Sequence, residues 1–452
     1  MRIPHHRLRL AVVLLAPLVR LSAQQSPDLS RILERLDRLE AENRELREQV
    51  RELREQVGAP AVDAPKLTER VDVEERRTAE LAQVKVEASH RFPVRLTGMA
   101  LVNTFYNSRQ NGGADNPTIA SLGRGNAVGG ATWRQTILGL DYRGPETLWG
   151  GKIRGSVFMD FFAGTNNPLN NTLRIRTATF GMDWKTRSFT VSQDKPLISF
   201  REPDSLSQVG LSPLTGAGNL WVWTPQARFE QRLAFGAQSG LNAQLAVIQT
   251  SEGGASVPAA FASTLERYRP GLEGRFEFFR KFEGERRIEI APGFHTSASH
   301  AAGGSAPSNL FFLDWALAPV SRVELTGDFF SGQNVAHFGT GVRQGFWIAR
   351  PGNLLPVHSR GGWAQLKLVA TDRLSFHLLA GQHDDRNSDI RAGFSDSTGG
   401  GIGKNQAFGA NFFYKLAPNV IMSFETLQTR TTYLLFGNRL NNHYDLAFAY
   451  LF

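Results

Sequence analysis

Basic side chains stand two or four apart in three short segments of the 452-residue chain: Lys152-Ile153-Arg154, Arg174-Ile175-Arg176, and Arg228 with Arg232 flanking Glu230. On an extended backbone that spacing puts the cations on one face. Ile153, Val157, Leu173, Ile175, Phe229 and Leu233 fall on the other. Guanidinium groups stay protonated at neutral pH and are neither nucleophiles nor general bases. Gathered around a water-filled space, they raise the local concentration of anions. Asp160 and Glu230 share the cationic faces and offset part of that field.

A second group lies between two of these segments, in the connection 195–224. It contains Lys195, the run Phe200-Arg201-Glu202-Pro203-Asp204-Ser205-Leu206, and Trp221 and Trp223. Asp204 is placed as the N-cap of a short helical turn. Two tryptophans are too apolar for a free loop, so the connection is expected to fold inward and bury them. Lys195, Arg201, Glu202 and Asp204 would then line a constriction, with Lys195 and Arg201 drawn toward the basic strands.

Catalytic chemistry finds little support. The chain has no cysteine, which removes thiol nucleophiles and thiolate metal sites. No Gly-x-Ser-x-Gly elbow stands between a strand and a helix. The cluster His383-Asp384-Asp385 reads as a polar turn in an outer loop, and neither a metal nor a cofactor is called for.

The elements that must position these residues are strands. From Val94 onward, alternating segments recur near 94–106, 133–143, 150–162, 173–184, 187–194, 225–234, 241–250, 271–280, 287–296, 308–317, 322–331, 358–369, 373–382, 406–415, 420–429 and 443–452. Each has a length suited to a tilted membrane strand. Their connections run long, short, medium, short, long, short and so on. Gly144-Pro145, Lys185-Thr186 and Ala370-Thr371-Asp372 are short; 107–132, 251–270, 332–357 and 383–405 are long. Short turns at one mouth and long loops at the other mark an all-β, sixteen-stranded antiparallel transmembrane barrel. In the last segment Tyr444, Leu446, Phe448, Tyr450 and Phe452 share one face, as a lipid face and an assembly signal for the barrel assembly machinery would require.

Ahead of the barrel (91–452) the text differs. Arg2, Arg7 and Arg9 precede the apolar run Leu10–Val19, which with Leu21-Ser22-Ala23 makes a signal peptide over 1–23. Residues 26–57 carry a heptad, with Leu29, Leu36, Asn43, Val50 and Val57 at a, and Ile32, Leu39, Leu46 and Leu53 at d. This coiled coil is placed in the periplasm, followed by a linker over 58–90. Residues 1–87 hold sixteen basic and sixteen acidic side chains, so the net charge of +9 belongs to the barrel. An exported basic chain points to anionic solutes and lipopolysaccharide phosphates rather than to nucleic acid.

Zipper, linker and sixteen strands in that order resemble the DcaP-type trimeric porins, relatives of the phosphate-selective porins. The local matches are Leu173-Arg174-Ile175-Arg176, Val191-Ser192-Gln193 and Pro225-Gln226-Ala227-Arg228-Phe229. The resemblance implies a homotrimer in the outer membrane that passes small hydrophilic solutes and prefers anions such as small carboxylates or phosphates. Lys152, Arg154, Arg174, Arg176, Arg228 and Arg232 would line that pore. The alternative is an outer-membrane hydrolase or adhesin. The first would need a Ser/His pair at the rim and the second enlarged loop domains.

Overall fold

The computed structural model describes residues 93–452, apart from 124, 165–166, 253–256, 340–344 and 394–400, together with six helical positions between Ala41 and Gln49. The expected signal peptide and linker, and all but those six positions of the expected coiled coil, lie outside the described residues. The chain divides into two units, 1–87 and 88–452.

Among its described residues the second unit has nineteen strands. They are β1 (Val94–Asn107), β2 (Val128–Thr132), β3 (Ile137–Glu146), β4 (Lys152–Ala163), β5 (Thr172–Asp183), β6 (Arg187–Asp194), β7 (Thr224–Ala234), β8 (Ser239–Ser251), β9 (Tyr268–Lys281) and β10 (Arg287–Ala301). There follow β11 (Gly304–Val320), β12 (Val323–Gln333), β13 (Phe346–Arg350), β14 (Asn353–Pro356), β15 (His358–Val369), β16 (Leu374–Asp385), β17 (Ile402–Ala417), β18 (Val420–Tyr433) and β19 (Gly437–Leu451). The hairpin β13–β14 is a separate sheet inside one connection. β2 and β3 pair with different stretches of β1, so together they make a single crossing. Among the described residues this leaves sixteen crossings, each antiparallel to its neighbours. β1 closes the sheet on β19, from Met99 opposite Leu451 to Asn107 opposite His443.

Alternation explains both faces. Phe229, Leu245, Phe278, Phe311, Leu378 and Phe408 point outward, each more than 40% exposed. A continuous apolar surface of this kind is a lipid face. On β19 Tyr444, Leu446, Phe448 and Tyr450 continue it, while Asp445, Ala447 and Ala449 are buried inside. Closure leaves no unpaired edge, so backbone groups in the wall are satisfied between strands.

All sixteen expected segments are strands, and the rhythm of short and long connections holds with two exceptions. β10 runs on to Ala301 and β11 starts at Gly304, so Ala302 and Gly303 form a tight turn where a loop over 297–307 was expected. Both residues have positive φ, 49° and 74°, as a two-residue hairpin with matching twist requires. Likewise β18 and β19 are joined by residues 434–436 alone.

Candidate functional site: the lumen and its inserted segment

Residues 195–223, between β6 and β7, fold into the barrel and cross it. The segment opens with a 3-10 turn, Leu197–Ser199, whose side chains are buried. Leu197, Ile198 and Leu220 pack against Ile248, Leu310, Phe312 and Phe330 of β8, β11 and β12. Leu206 packs on Leu101 and Ala447. Leu214 and Ala217 pack on Trp363, Leu379 and Leu427. The inward face of the wall thus carries three apolar seats, and each fully buried Leu, Ile or Phe contributes about 1.5–3 kcal/mol. Gly218, with φ of 104°, lies so close to the wall that a Cβ there would overlap the carbonyl oxygen of Gly362.

Polar contacts fix the path between the seats. Asn103 Nδ2 donates to the Leu206 carbonyl at 2.8 Å, and Gln135 Nε2 to that of Ser207 at 2.8 Å. Ser205 Oγ donates to Glu425 at 2.6 Å, and Asn405 Nδ2 to the Gly216 carbonyl at 2.8 Å. The crossing β2–β3 breaks at residues 133–136, and there Arg134 and Gln135 are buried at 1% and 0% exposure. The break is what turns Gln135 toward the inserted segment.

The basic strands meet this segment at two places. Arg174 and Arg176 share one carboxylate, with Arg174 Nε 2.7 Å and Arg176 Nη1 2.9 Å from Asp160. Both also donate to its backbone, Arg176 to the Val209 carbonyl at 2.7 Å and Arg174 to that of Gly210. Their guanidinium carbons lie 5.0 and 4.7 Å from the ring centre of Trp223. A bulge in β5 makes this convergence possible: opposite Phe158 and Met159 stand Thr177 and Ile175, so Arg176 is the extra residue. Arg228 Nη2 donates to the Lys195 carbonyl at 2.7 Å and to Gln226 at 2.9 Å.

The remaining basic residues stand nearer the short-turn mouth. Arg154 pairs with Asp183 at 2.8 Å, and Arg232 Nε donates to Asn242 at 3.1 Å. Lys152 is exposed at the start of β4.

Within the inserted segment, Lys195 pairs with Glu202 at 3.3 Å, and Asp204 with Lys367 of β15 at 3.2 Å. Two expectations are corrected. Arg201 does not approach the basic strands: its guanidinium reaches Asp314 at 2.6 Å, Glu289 at 3.0 Å and Glu277 at 3.2 Å, on β11, β10 and β9. Three carboxylates outcompete a cationic wall for a free guanidinium. Asp204 caps no helix, because its backbone N–H and carbonyl are both bound by Gln365, at 2.9 and 3.0 Å. The inward fold of the tryptophans holds: Trp221 is 8% exposed, with Trp223 edge-on at 4.7 Å.

Family models were searched without a match, and no curated protein sequence matches. Solved structures do. The outer-membrane channel DcaP of Acinetobacter baumannii superposes with a TM-score of 0.63 at 16% identity, over 79% of this chain and 97% of that one. An anion-selective porin from Comamonas acidovorans gives 0.53 at 10% identity, over 79% and 99%. OprB of Pseudomonas putida gives 0.53 at 8% identity, over 82% and 97%. The chain has the fold of an outer-membrane porin.

In this barrel a second charged cluster, on β9 to β11 just beyond the basic strands, went unread from the sequence. Arg275 lies there with Arg201 among Glu277, Asp314 and Glu289, and its Nε is 2.7 Å from Asp314. The two-apart spacing of Glu273, Arg275 and Glu277 was available as a signal. The apolar seats also had one: Leu310-Phe311-Phe312-Leu313 and Phe329-Phe330 are apolar on both faces, which a water-lined strand is not. His383-Asp384-Asp385 is no outer-loop turn either. It ends β16, with His383 buried and 2.8 Å from Asp385.

Proposed function

We propose that the chain is an outer-membrane porin through which small hydrophilic solutes diffuse, with a preference for anions such as small carboxylates or phosphates. The observation that carries this reading is the charge on the wall β4–β7. Lys152, Arg154, Arg174, Arg176, Arg228 and Arg232 stand against Asp160, Asp183, Asp194 and Glu230, an excess of two positive charges. Arg228 and Arg232 bond to carbonyl and amide oxygens rather than to a carboxylate. The strands that follow round the barrel, β9 to β11, carry Glu273, Glu277, Glu289 and Asp314 against Arg275 and Arg287, with Arg201 of the inserted segment among them. The excess on β4–β7 therefore biases the lumen toward anions without excluding cations, within a screening length of about 8–10 Å. The Comamonas neighbour, itself anion-selective, supports the same reading.

The assembly belongs to this proposal. Residues 26–57 would form a periplasmic three-stranded coil joining a homotrimer, after removal of 1–23 during export. Lipid and lipopolysaccharide would surround the barrel.

Arg154 and Arg232 touch none of residues 195–223 in the contacts described, so they test selectivity apart from plug integrity. In planar bilayers under asymmetric potassium chloride, Arg154→Gln with Arg232→Gln is expected to move the reversal potential toward cations while conductance persists. An unchanged reversal potential would overturn the anion preference.

A further inference from the structure

The outer face of β15–β18 breaks the apolar belt near the long-loop mouth. The alternation that turns Phe376 and Leu378 outward on β16 also turns Gln382 and Asp384 outward. On β17 it does the same for Lys404 and Gln406 beyond Phe408, and on β15 for Arg360 beyond Leu368. Outward amides pair along this row, Gln406 with Gln382 at 2.8 Å and Gln428 with Asn442 at 3.0 Å. Above them Asp384 stands between two cations, 3.3 Å from Arg360 and 3.4 Å from Lys404. The Arg360 side chain is 71% exposed.

Arg360, Asp384 and Lys404 line a groove of about 770 Å³, together with Arg386, His358 and Ser331. Arg360, Arg386 and Lys404 line it with two carboxylates, Asp384 and Asp385, the latter turned inward and bonded to Ser359 and His383, so the groove is net positive. His358 is engaged by Asp389, whose Oδ2 is 2.7 Å from its Nδ1. The height of the groove follows from strand geometry. Leu374 opens β16 at the short-turn mouth, and Asp384 is ten residues on. At about 3.3 Å per residue and a tilt of about 40°, that is roughly 25 Å along the membrane normal. The hydrocarbon-facing band of such barrels is also about 25 Å tall, so the cations stand at its outer edge. Charges facing hydrocarbon are costly, and charges at headgroup level meet lipid phosphate.

We propose that this groove binds the phosphorylated headgroup of an outer-leaflet lipid, with its phosphate held by Arg360, Lys404 and Arg386. The planar guanidinium groups suit the phosphate oxygens, Lys404 adds a point charge, and Asp384 holds two of the cations in place. The cavity has room for a sugar phosphate, well beyond one inorganic ion. This proposal rests on the outer-membrane reading of the barrel but not on the selectivity of the lumen, so lipid binding and reversal potential can fail separately.

The test uses the full chain purified in mild detergent, with diphosphorylated lipid A as the probe and native mass spectrometry as the readout. One lipid per barrel is expected to be retained. Arg360→Gln with Lys404→Gln should lower retention about tenfold or more, with heat-modifiable gel migration showing that the barrel is folded. For the unaltered chain, lipid A stripped of both phosphates should be lost, and millimolar inorganic phosphate should not displace the intact lipid. Three results would overturn the proposal: equal retention by the double variant, equal retention of the stripped lipid, or displacement by free phosphate. A double variant that keeps the lipid but loses its oligomer would show a contact between copies instead, and would overturn it too.

Discussion

The side-chain oxygen of Gln135 lies 2.7 Å from the backbone nitrogen of Gly210, and it takes the N–H of Val209 at the same distance. The amide of the same side chain donates to Asn103 at 3.1 Å and to the Ser207 carbonyl at 2.8 Å. One glutamine, at the break in a wall strand, thus holds three residues of the inserted segment, Ser207, Val209 and Gly210.

Gln135→Leu keeps the volume and removes every one of these bonds. Two buried N–H groups then lose their acceptor, at about 1–3 kcal/mol each. The expected outcome is faster proteolytic nicking within 195–223 and noisier single-channel current, with the barrel still resisting SDS at room temperature. Nicking at the wild-type rate would mean that the apolar seats alone hold the segment.

Arg174→Ser with Arg176→Ser removes two cations and strips the buried Asp160 of both its ion pairs. Selectivity should move further toward cations than for the pair Arg154 and Arg232. Conductance should also rise, because the Val209 and Gly210 carbonyls lose their donors. Bilayer recordings separate the two effects: a shift in reversal potential at constant conductance would mean that these arginines act on ions and do not brace the segment.

His337 stands on the 3-10 turn Ala336–Phe338, in the connection after β12. Burial, and next the neighbouring His295, hold its pKa well below the ordinary histidine value. Its contribution to stability is therefore fully present above about pH 6.5, the unfolded value, and is lost as pH falls below it toward the depressed folded value. Phe338 belongs to the apolar seat that holds Leu197 and Leu220, so mild acid should loosen the inserted segment. Fluorescence of Trp221 and Trp223 followed from about pH 7.5 to about pH 5 is expected to red-shift, and His337→Gln to flatten that response. A pH-independent signal in the unaltered chain would remove His337 from this role.

Phe452 closes the barrel seam. Its backbone exchanges hydrogen bonds with Gly98, at 3.0 and 3.2 Å, and its ring stacks on Tyr450 at 6.4 Å between centroids. Phe452→Asp puts a carboxylate on the lipid face at the last strand, so outer-membrane levels should fall sharply by fractionation and heat-modifiable gel migration. Undiminished levels would show that the terminal aromatic is dispensable for assembly.

The strands were legible because their signal is local. Phe376, Leu378 and their outward neighbours repeat every second residue whatever the rest of the chain does. Loop 195–223 was legible in part: Trp221 and Trp223 announced an inward fold, but not its route. Arg201 has its partners 76 to 113 residues away, and Ser205 its partner 220 away. No spacing rule reaches that far, and only the register of β9 to β11 places Glu277, Glu289 and Asp314 side by side. The bulge at Arg176 was hidden for a related reason, since it is a property of the pairing and not of either strand alone.

The seating of residues 195–223 also sets an order of events in folding. Their anchors include Asn103 on the first strand and His443 on the last, whose Nε2 is 3.1 Å from Ser207 Oγ. The first and last strands become neighbours only when the sheet has closed on itself. The segment therefore cannot seat on a half-built sheet. Its docking is the final, high-contact-order step, and it should appear as a separate slow phase after the wall is complete.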